Sequence, residues 1–172
     1  MEVLRLDAVG ERQWTELIGA EREPWGGGIA ERFSWAAKTD NVGIRERDGR
    51  LLAVAGSVRA HVQVADGDPF EVLGIGGVFV ARDARGRGFV TPLLDALLAR
   101  ADASAGPERA MLFCREALVA MYRKFDFREI ADPAWAEQPG GRERVPLSAM
   151  WRPLRAGATW PAGRVDVLGL PF

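Results

Sequence analysis

Cysteine, histidine and tyrosine each occur once in this 172-residue chain, as Cys114, His61 and Tyr122. A lone cysteine excludes an internal disulfide and a cysteine-cluster metal site, and a lone histidine argues against a histidine-rich one. No metal is therefore expected. Net charge is scarce too, at -1, so the chain lacks the basic footprint of a nucleic-acid binder, and any anion site must be a local arrangement. No apolar run reaches the roughly 20 residues that span a bilayer. The start, "MEVLRLDAVGERQW", lacks the basic onset and apolar run of a signal peptide. A cytoplasmic protein with no membrane partner is the expectation. What the chain does have is 48% hydrophobic and 27% charged residues, the profile of a soluble globular fold, and a length that suits one domain over 1–172.

The patterning predicts a mixed α/β (α+β) order. "EVLRL" alternates as a strand, and "GERQWTELIGAERE" carries Trp14, Leu17 and Ile18 at helical spacing. Pro24 to Gly28 break the chain, and "IAERFSWAAKT" reads as a short helix. "NVGIRERDG" and "RLLAVAGSVRAHVQVADGD" form a hairpin about Asp48-Gly49. "FEVLGIGGVFVAR" is a strand whose interior glycines, at 74, 76 and 77, signal a bulge or a close approach by ligand or backbone. A helix follows, with Val90, Leu93, Leu94, Leu97, Leu98 and Ala101 on one stripe. "RAMLFC" is a buried strand and "REALVAMYRKFDF" an amphipathic helix. "REI", a polar loop to Arg144, "VPLSAMWRPL" as a late strand, and an irregular tail with an apolar end complete the chain.

Between strand and helix lies the turn Arg85-Gly86-Arg87-Gly88-Phe89-Val90. A helix N-terminus offers free N–H groups and partial positive charge, glycines let the backbone approach an anion, and arginines add full charge. The turn suits a phosphate or pyrophosphate. It has neither the GxxxxGK[ST] spacing of a Walker loop nor, with Thr91 in the third glycine position, a dinucleotide fingerprint.

The stretch "VFVARDARGRGFVTPLLDALL" resembles the acetyl-CoA signature of the GNAT superfamily of N-acetyltransferases, and "LVAMYRKFDF" resembles the family's helix and following strand start. Asp126 stands where the family usually has Gly, and Arg115 where an Asn often contacts CoA. The resemblance covers residues 72–130. It implies a mostly antiparallel mixed sheet of six or seven strands, about four flanking helices and a V-shaped cofactor cleft. Val78, Phe79 and Val80 would lend backbone groups to the pantetheine arm. The backbone N–H groups of Arg85, Gly86, Arg87, Gly88, Phe89 and Val90, with Thr91, would bind the pyrophosphate. Acetyl-CoA is the implied co-substrate.

Acetyl transfer needs a neutral amine. One with a pKa near 10 is neutral in about one molecule per thousand at pH 7, a cost near 4 kcal/mol, so a base lowers the barrier. The resemblance assigns Tyr122 as the acid that protonates the leaving thiolate. The base is open. Many relatives carry a Glu on the cofactor strand, where this chain has Gly74 and Gly76. Glu71 has the opposite pleat parity, which a bulge could reverse, and His61 lies in an alternating run. The remaining candidates are water and the α-carboxylate of Phe172. Some aminoglycoside-acting members, including the enhanced-intracellular-survival type, insert an aromatic C-terminal residue into the site, and the apolar end "VDVLGLPF" has surface to bury.

Cys114 reads as buried and inert, and most tryptophans as core, with Trp25 and Trp35 near an acceptor wall. Glu21, Glu23, Asp40 and Asp166 are candidate amine contacts. The expected activity is acetylation of a primary amine on a small molecule by direct attack in a ternary complex. Rivals are a protein or peptide N-acetyltransferase and a non-catalytic acyl-CoA sensor. The oligomeric state is open, with a homodimer as the prior.

Overall fold

The computed structural model describes residues 2–21, 28–102 and 106–172; Glu23 and Trp25 lie outside them. Among the described residues, ten strands form one sheet in the order β6-β9-β5-β4-β3-β10-β7-β8, with β2 also on β3 and β1 on β2. The strands are β1 (Val3–Leu6), β2 (Asp40–Arg45), β3 (Leu51–Val64), β4 (Phe70–Val80), β5 (Arg109–Cys114), β6 (Arg128–Glu129), β7 (Ala134–Gln138), β8 (Gly141–Arg144), β9 (Ser148–Pro153) and β10 (Val165–Val167). Only the β4–β5 and β7–β10 pairings are parallel. The long β3 can hold so many neighbours because its first half pairs with β2 and its end with β10, while β4 runs along its other edge.

Helices α1 (Glu11–Ile18), α3 (Val90–Asp102) and α4 (Glu116–Arg123) cover one face of the sheet, and α2 (Ile29–Arg32) is a single turn. The alternation of β5 shows how both faces are filled. Ala110, Leu112 and Cys114 join the helix-side core with Leu93, Leu94, Leu97 and Tyr122. Met111 and Phe113 face the other way, into a second core with Phe33, Val165, Val167 and Phe172. Among the described residues no helix is long and apolar enough to cross a membrane.

The architecture is the expected mixed one, with more strands than the six or seven anticipated. The "polar loop" to Arg144 is the hairpin β7–β8, turning at Pro139 and Gly140. The "irregular" tail contains β10, inserted between β3 and β7. The helix expected over "IAERFSWAAKT" stops after Arg32, and Phe33 is extended (φ -106°, ψ 140°). Its backbone finds better partners than a helix would supply. Ser34 N–H donates to Gln138 Oε1 at 2.8 Å, and Gln138 Nε2 donates back to the Ser34 carbonyl at 3.1 Å. Most of the described tryptophans are core residues, as expected: Trp151 is fully buried, and the half-buried Trp14, Trp35 and Trp160 pack against the two cores, while Trp135 is half-buried on β7.

Candidate active site

β4 and β5 pair only over Leu73–Ile75 and Ala110–Leu112. Beyond Ile75 the strands part, and the β5-side backbone edge of residues 76–80 has no strand partner among the described residues. The cause is in β4 itself. Its register with β3 shifts by one residue between Val54 and Gly56, opposite Gly77 and Val78, and Gly77 takes φ +60°. This is a β-bulge, which bends its strand and increases its twist. The result is a slot opening at Gly76 and walled on one side by Val78, Phe79 and Val80.

The glycine turn lies at the end of that wall. Gly86 and Gly88 both have φ +77°, a left-handed conformation that costs an ordinary side chain about 1–2 kcal/mol. Two left-handed glycines on either side of Arg87, after an extended Arg85, turn the backbone tightly and suit the concave run of N–H groups that anions favour. The N–H groups of Gly86, Arg87, Gly88, Phe89 and Val90 donate to no backbone carbonyl among the described residues. Two members of the expected set are already engaged: Arg85 N–H bonds Arg82 O at 3.4 Å, and Thr91 N–H bonds Gly88 O at 3.3 Å. The Arg85 guanidinium is committed as well. It grips Glu21 through two bonds (3.1 and 2.6 Å), donates to Val80 O at 3.1 Å and lies 5.6 Å from the Phe79 ring. That bond holds the Glu21 carboxyl below its ordinary range. Arg85 thus clamps the turn to the strand and to the residues after α1, whereas Arg87 is exposed and leans on the buried Phe89 ring (4.9 Å).

Tyr122 sits on the inner face of α4, 5% exposed, edge-on to Phe127 with ring centroids 6.0 Å apart. Burial, and then the neighbouring Cys114, push its phenol pKa well up, so it stays protonated at neutral pH. Among the described residues its hydroxyl makes no hydrogen bond. The helix ends through Asp126, at φ +62°, so an aspartate adopts the left-handed conformation that a glycine usually supplies there.

On the opposite face, Phe172 is 3% exposed and packs against Phe113 at 5.3 Å. The absence of side chains at Gly74 and Gly76 of β4 makes this possible. A Cβ on Gly74 would lie 2.5 Å from Phe172 Cγ, and one on Gly76 would lie 2.6 Å from the Phe172 main-chain carbonyl carbon. The tail is tied down by Leu168 N–H to His61 O, Gly169 O from Glu137 N–H, and Pro171 O from Ala36 N–H, at 2.7–2.9 Å. Among the described residues nothing donates a hydrogen bond to the Phe172 main-chain oxygen. Sequence reasoning missed the neighbour of that group. The Lys38 side chain crosses the paired glycines Gly56 and Gly76, and its Cε comes within 2.9 Å of the same point above Gly76. Its Nζ donates to Ala36 O at 2.7 Å, and burial lowers its pKa to about 8. The only hint in the sequence was the glycine at each of those two strand positions.

The other candidates fall elsewhere. Glu71 precedes the bulge, so its parity is not reversed, and it pairs with Arg59 at 3.2 Å. His61 is exposed beside it. Glu21, Asp40 and Asp166 are each bound to arginine: Arg85, Arg100 with Arg5, and Arg142 with Arg164. Cys114 is buried against Met150 Sδ at 3.7 Å, and burial pushes its thiol up to about 11, so it is a packing residue. Among the described residues no group of three His, Cys, Asp or Glu could hold a metal ion.

Comparison with known proteins bears on the fold and the family. The chain resembles YhbS from Escherichia coli, a GNAT family N-acetyltransferase solved in complex with CoA, at 16% identity and TM-score 0.63, over 99% of this chain and 94% of that one. It resembles the phosphinothricin acetyltransferase Pat from Sinorhizobium meliloti, solved with AcCoA, at 17% identity and TM-score 0.56, over 94% of each chain. Eis1 from Mycobacterium abscessus aligns at 21% identity and TM-score 0.55, over 78% of this chain but 32% of its own. At such identities the likeness is one of fold. No curated protein sequence matches significantly. A family model described as an acetyltransferase (GNAT) domain, however, matches residues 13–130, over half the chain. The chain is thus an acyltransferase belonging to the GNAT family of N-acetyltransferases.

Proposed function

We propose that the slot between β4 and β5 binds acetyl-CoA and that the chain passes its acetyl group to a primary amine of a small molecule, by direct attack in a ternary complex. One observation carries this reading. The strands part at Gly76, with the phenol of Tyr122 on one face of the sheet and the ring and main-chain carbonyl group of Phe172 on the other.

Acetyl-CoA would supply the acyl group, activated as a thioester. The residues present fit it. The nest from Gly86 to Val90 suits a pyrophosphate, and the unpaired edge of residues 76–80 suits an extended amide-bearing arm. Backbone N–H groups near Val78 would stabilise the oxygen that gains charge during attack. The Tyr122 hydroxyl, kept protonated by its burial, would give its proton to the departing sulfur. Where the chain ends at Phe172, its α-carboxylate is the base, directly or through one water. The tail thereby brings a carboxylate to Gly74 and Gly76, the strand positions where many relatives carry a Glu side chain. The other acids near the site are neutralised by arginines, leaving this carboxylate to draw in a cationic amine.

The small-molecule reading rests on how closed the acceptor side is. Residues 33–38 are stitched to the tail through Ala36 and Pro171 and to β7 through Ser34 and Gln138, which makes a wall rather than an open groove. The test is release of free thiol from acetyl-CoA against a panel of small amines and N-terminal peptides. Turnover on small amines supports the proposal. Turnover on peptides alone overturns the acceptor class, and binding of acetyl-CoA without any turnover makes the chain a sensor.

A further inference from the structure

The chain contains 21 arginines and only two lysines, Lys38 and Lys124. Arginine can pair with anions but does not accept an acyl group. Lys124 is exposed at the end of α4. Lys38 is placed differently. Its Cγ and Cε lie 2.6 and 2.9 Å from the positions that Cβ atoms on Gly56 and Gly76 would occupy, so the side chain runs flat across a glycine pair. Gly76 is the first residue of β4 past its last partner on β5, the mouth of the slot. The amine is therefore led over bare backbone to the place where an acyl group must be exposed to its acceptor.

We propose that Lys38 is a self-acetylation site: without an acceptor amine, its Nζ takes the acetyl group from acetyl-CoA bound in the slot, and the modified side chain then blocks the acceptor side. This rests on the reading of the slot as an acetyl-CoA site. The Nζ lone pair forms an amide bond to the acyl carbon, the C–S bond breaks, CoA leaves with the electron pair, and the proton lost by the amine restores its thiol. The product is a stable amide, so it is an end state and not an intermediate that passes the acetyl group on. Burial prepares the nucleophile. With a pKa near 8, the amine is neutral in about one molecule in ten at pH 7, against one in a thousand or fewer for an ordinary lysine. Acetylation removes the positive charge and adds bulk beside the Phe172 carboxylate. The glycine pair beneath leaves that bulk nowhere to go except into the acceptor's space.

The test incubates the full chain with acetyl-CoA and no amine, followed by trypsin digestion. Acetylation blocks cleavage at Lys38, so residues 33–45 should appear as one peptide heavier by about 42 Da. Modification at Lys38 should exceed that at Lys124 by at least about tenfold, and Lys38→Arg should abolish it. Turnover on a small amine should fall in proportion to the modified fraction. Equal labelling of the two lysines, or an intact Lys38 in a chain shown calorimetrically to bind acetyl-CoA, overturns the proposal. Absence of acetyl-CoA binding removes the reading of the slot itself, and this inference with it.

Discussion

Gly74→Ala adds one methyl group where the structure has no room. The new Cβ would meet Phe172 Cγ at 2.5 Å and both Cδ atoms at 2.7 Å, roughly 1 Å inside the usual 3.5–4.0 Å carbon contact. The ring cannot slide freely, because Phe113 flanks it at 5.3 Å and Ala36 holds the adjoining Pro171 carbonyl at 2.7 Å. Either the core strains, at about 1–3 kcal/mol, or the ring leaves and forfeits the roughly 1.5–3 kcal/mol its burial contributes. A loss near 2 kcal/mol lowers Tm by about 4–8 °C for a chain of this size. The decisive assay is a double-mutant cycle with Phe172→Ala, read by thermal and urea unfolding. Once the ring is gone, Gly74→Ala should cost less than about 0.5 kcal/mol, giving a coupling energy near 2 kcal/mol. If the Phe172 α-carboxylate is the base as proposed, each single variant should also reduce kcat by about 10²-fold, because the unanchored tail no longer holds that group over Gly76. Simple additivity in the cycle, or wild-type Tm and kcat for Gly74→Ala, would refute the idea that β4 is bare to seat the tail.

Other perturbations test separate parts. Tyr122→Phe keeps the ring against Phe127 and removes only the hydroxyl; kcat should drop about 10²-fold with Tm nearly unchanged, which steady-state kinetics and calorimetry will check. Gly88→Ala forces a side chain to φ +77° and should cost about 1–2 kcal/mol while raising the KM for acetyl-CoA more than it lowers kcat. Extending the chain by one alanine after Phe172 should lower kcat sharply with acetyl-CoA affinity intact, measured by titration calorimetry. Lys38→Met tests the buried amine. The folded pKa, about 8, lies below the ordinary 10.5, so the unfolded chain binds more protons between those values. Wild-type stability should therefore rise with pH across that window relative to the variant. Below pH 8 the burial penalty is present in full, and Lys38→Met should be the more stable by up to about 3 kcal/mol at pH 7 in urea melts, the gain fading by pH 10.5.

The parts legible in sequence were those set by local rules. The amphipathic stripe from Leu93 to Leu98, the turn at Asp48-Gly49 and the glycines of β4 each signal their structure within a few residues. What escaped was set at a distance. β7 alternates correctly, but its inward residues, Ala134, Ala136 and Gln138, are too small or polar to register as a strand. β10 is only three residues long, and both of its partners are remote in sequence, at 62–64 and 134–136. The helix after Gly28 stops at Arg32 because Gln138, about a hundred residues on, offers Ser34 a donor and an acceptor at once. In the site, Tyr122 and the glycine turn belong to a contiguous pattern. Lys38 has no motif, and only the convergence of three strands' worth of backbone brings it to Phe172.

The insertion of β10 also bears on the order in which the molecule can be built. The β7–β8 hairpin reaches the rest of the sheet only through β10, and β10 follows it in the chain. During synthesis, β3, β4 and the helices between β4 and β6 can assemble while the hairpin waits with one edge open. The sheet closes only when residues 165–167 emerge, and the same stretch then carries Phe172 to Gly74. Assembly of the sheet and seating of the tail on β4 thus become one late event. A chain cut short before that point would have β4 parted from β5, no tail over Gly74 and Gly76, and an unpaired strand edge for chaperones or proteases to recognise.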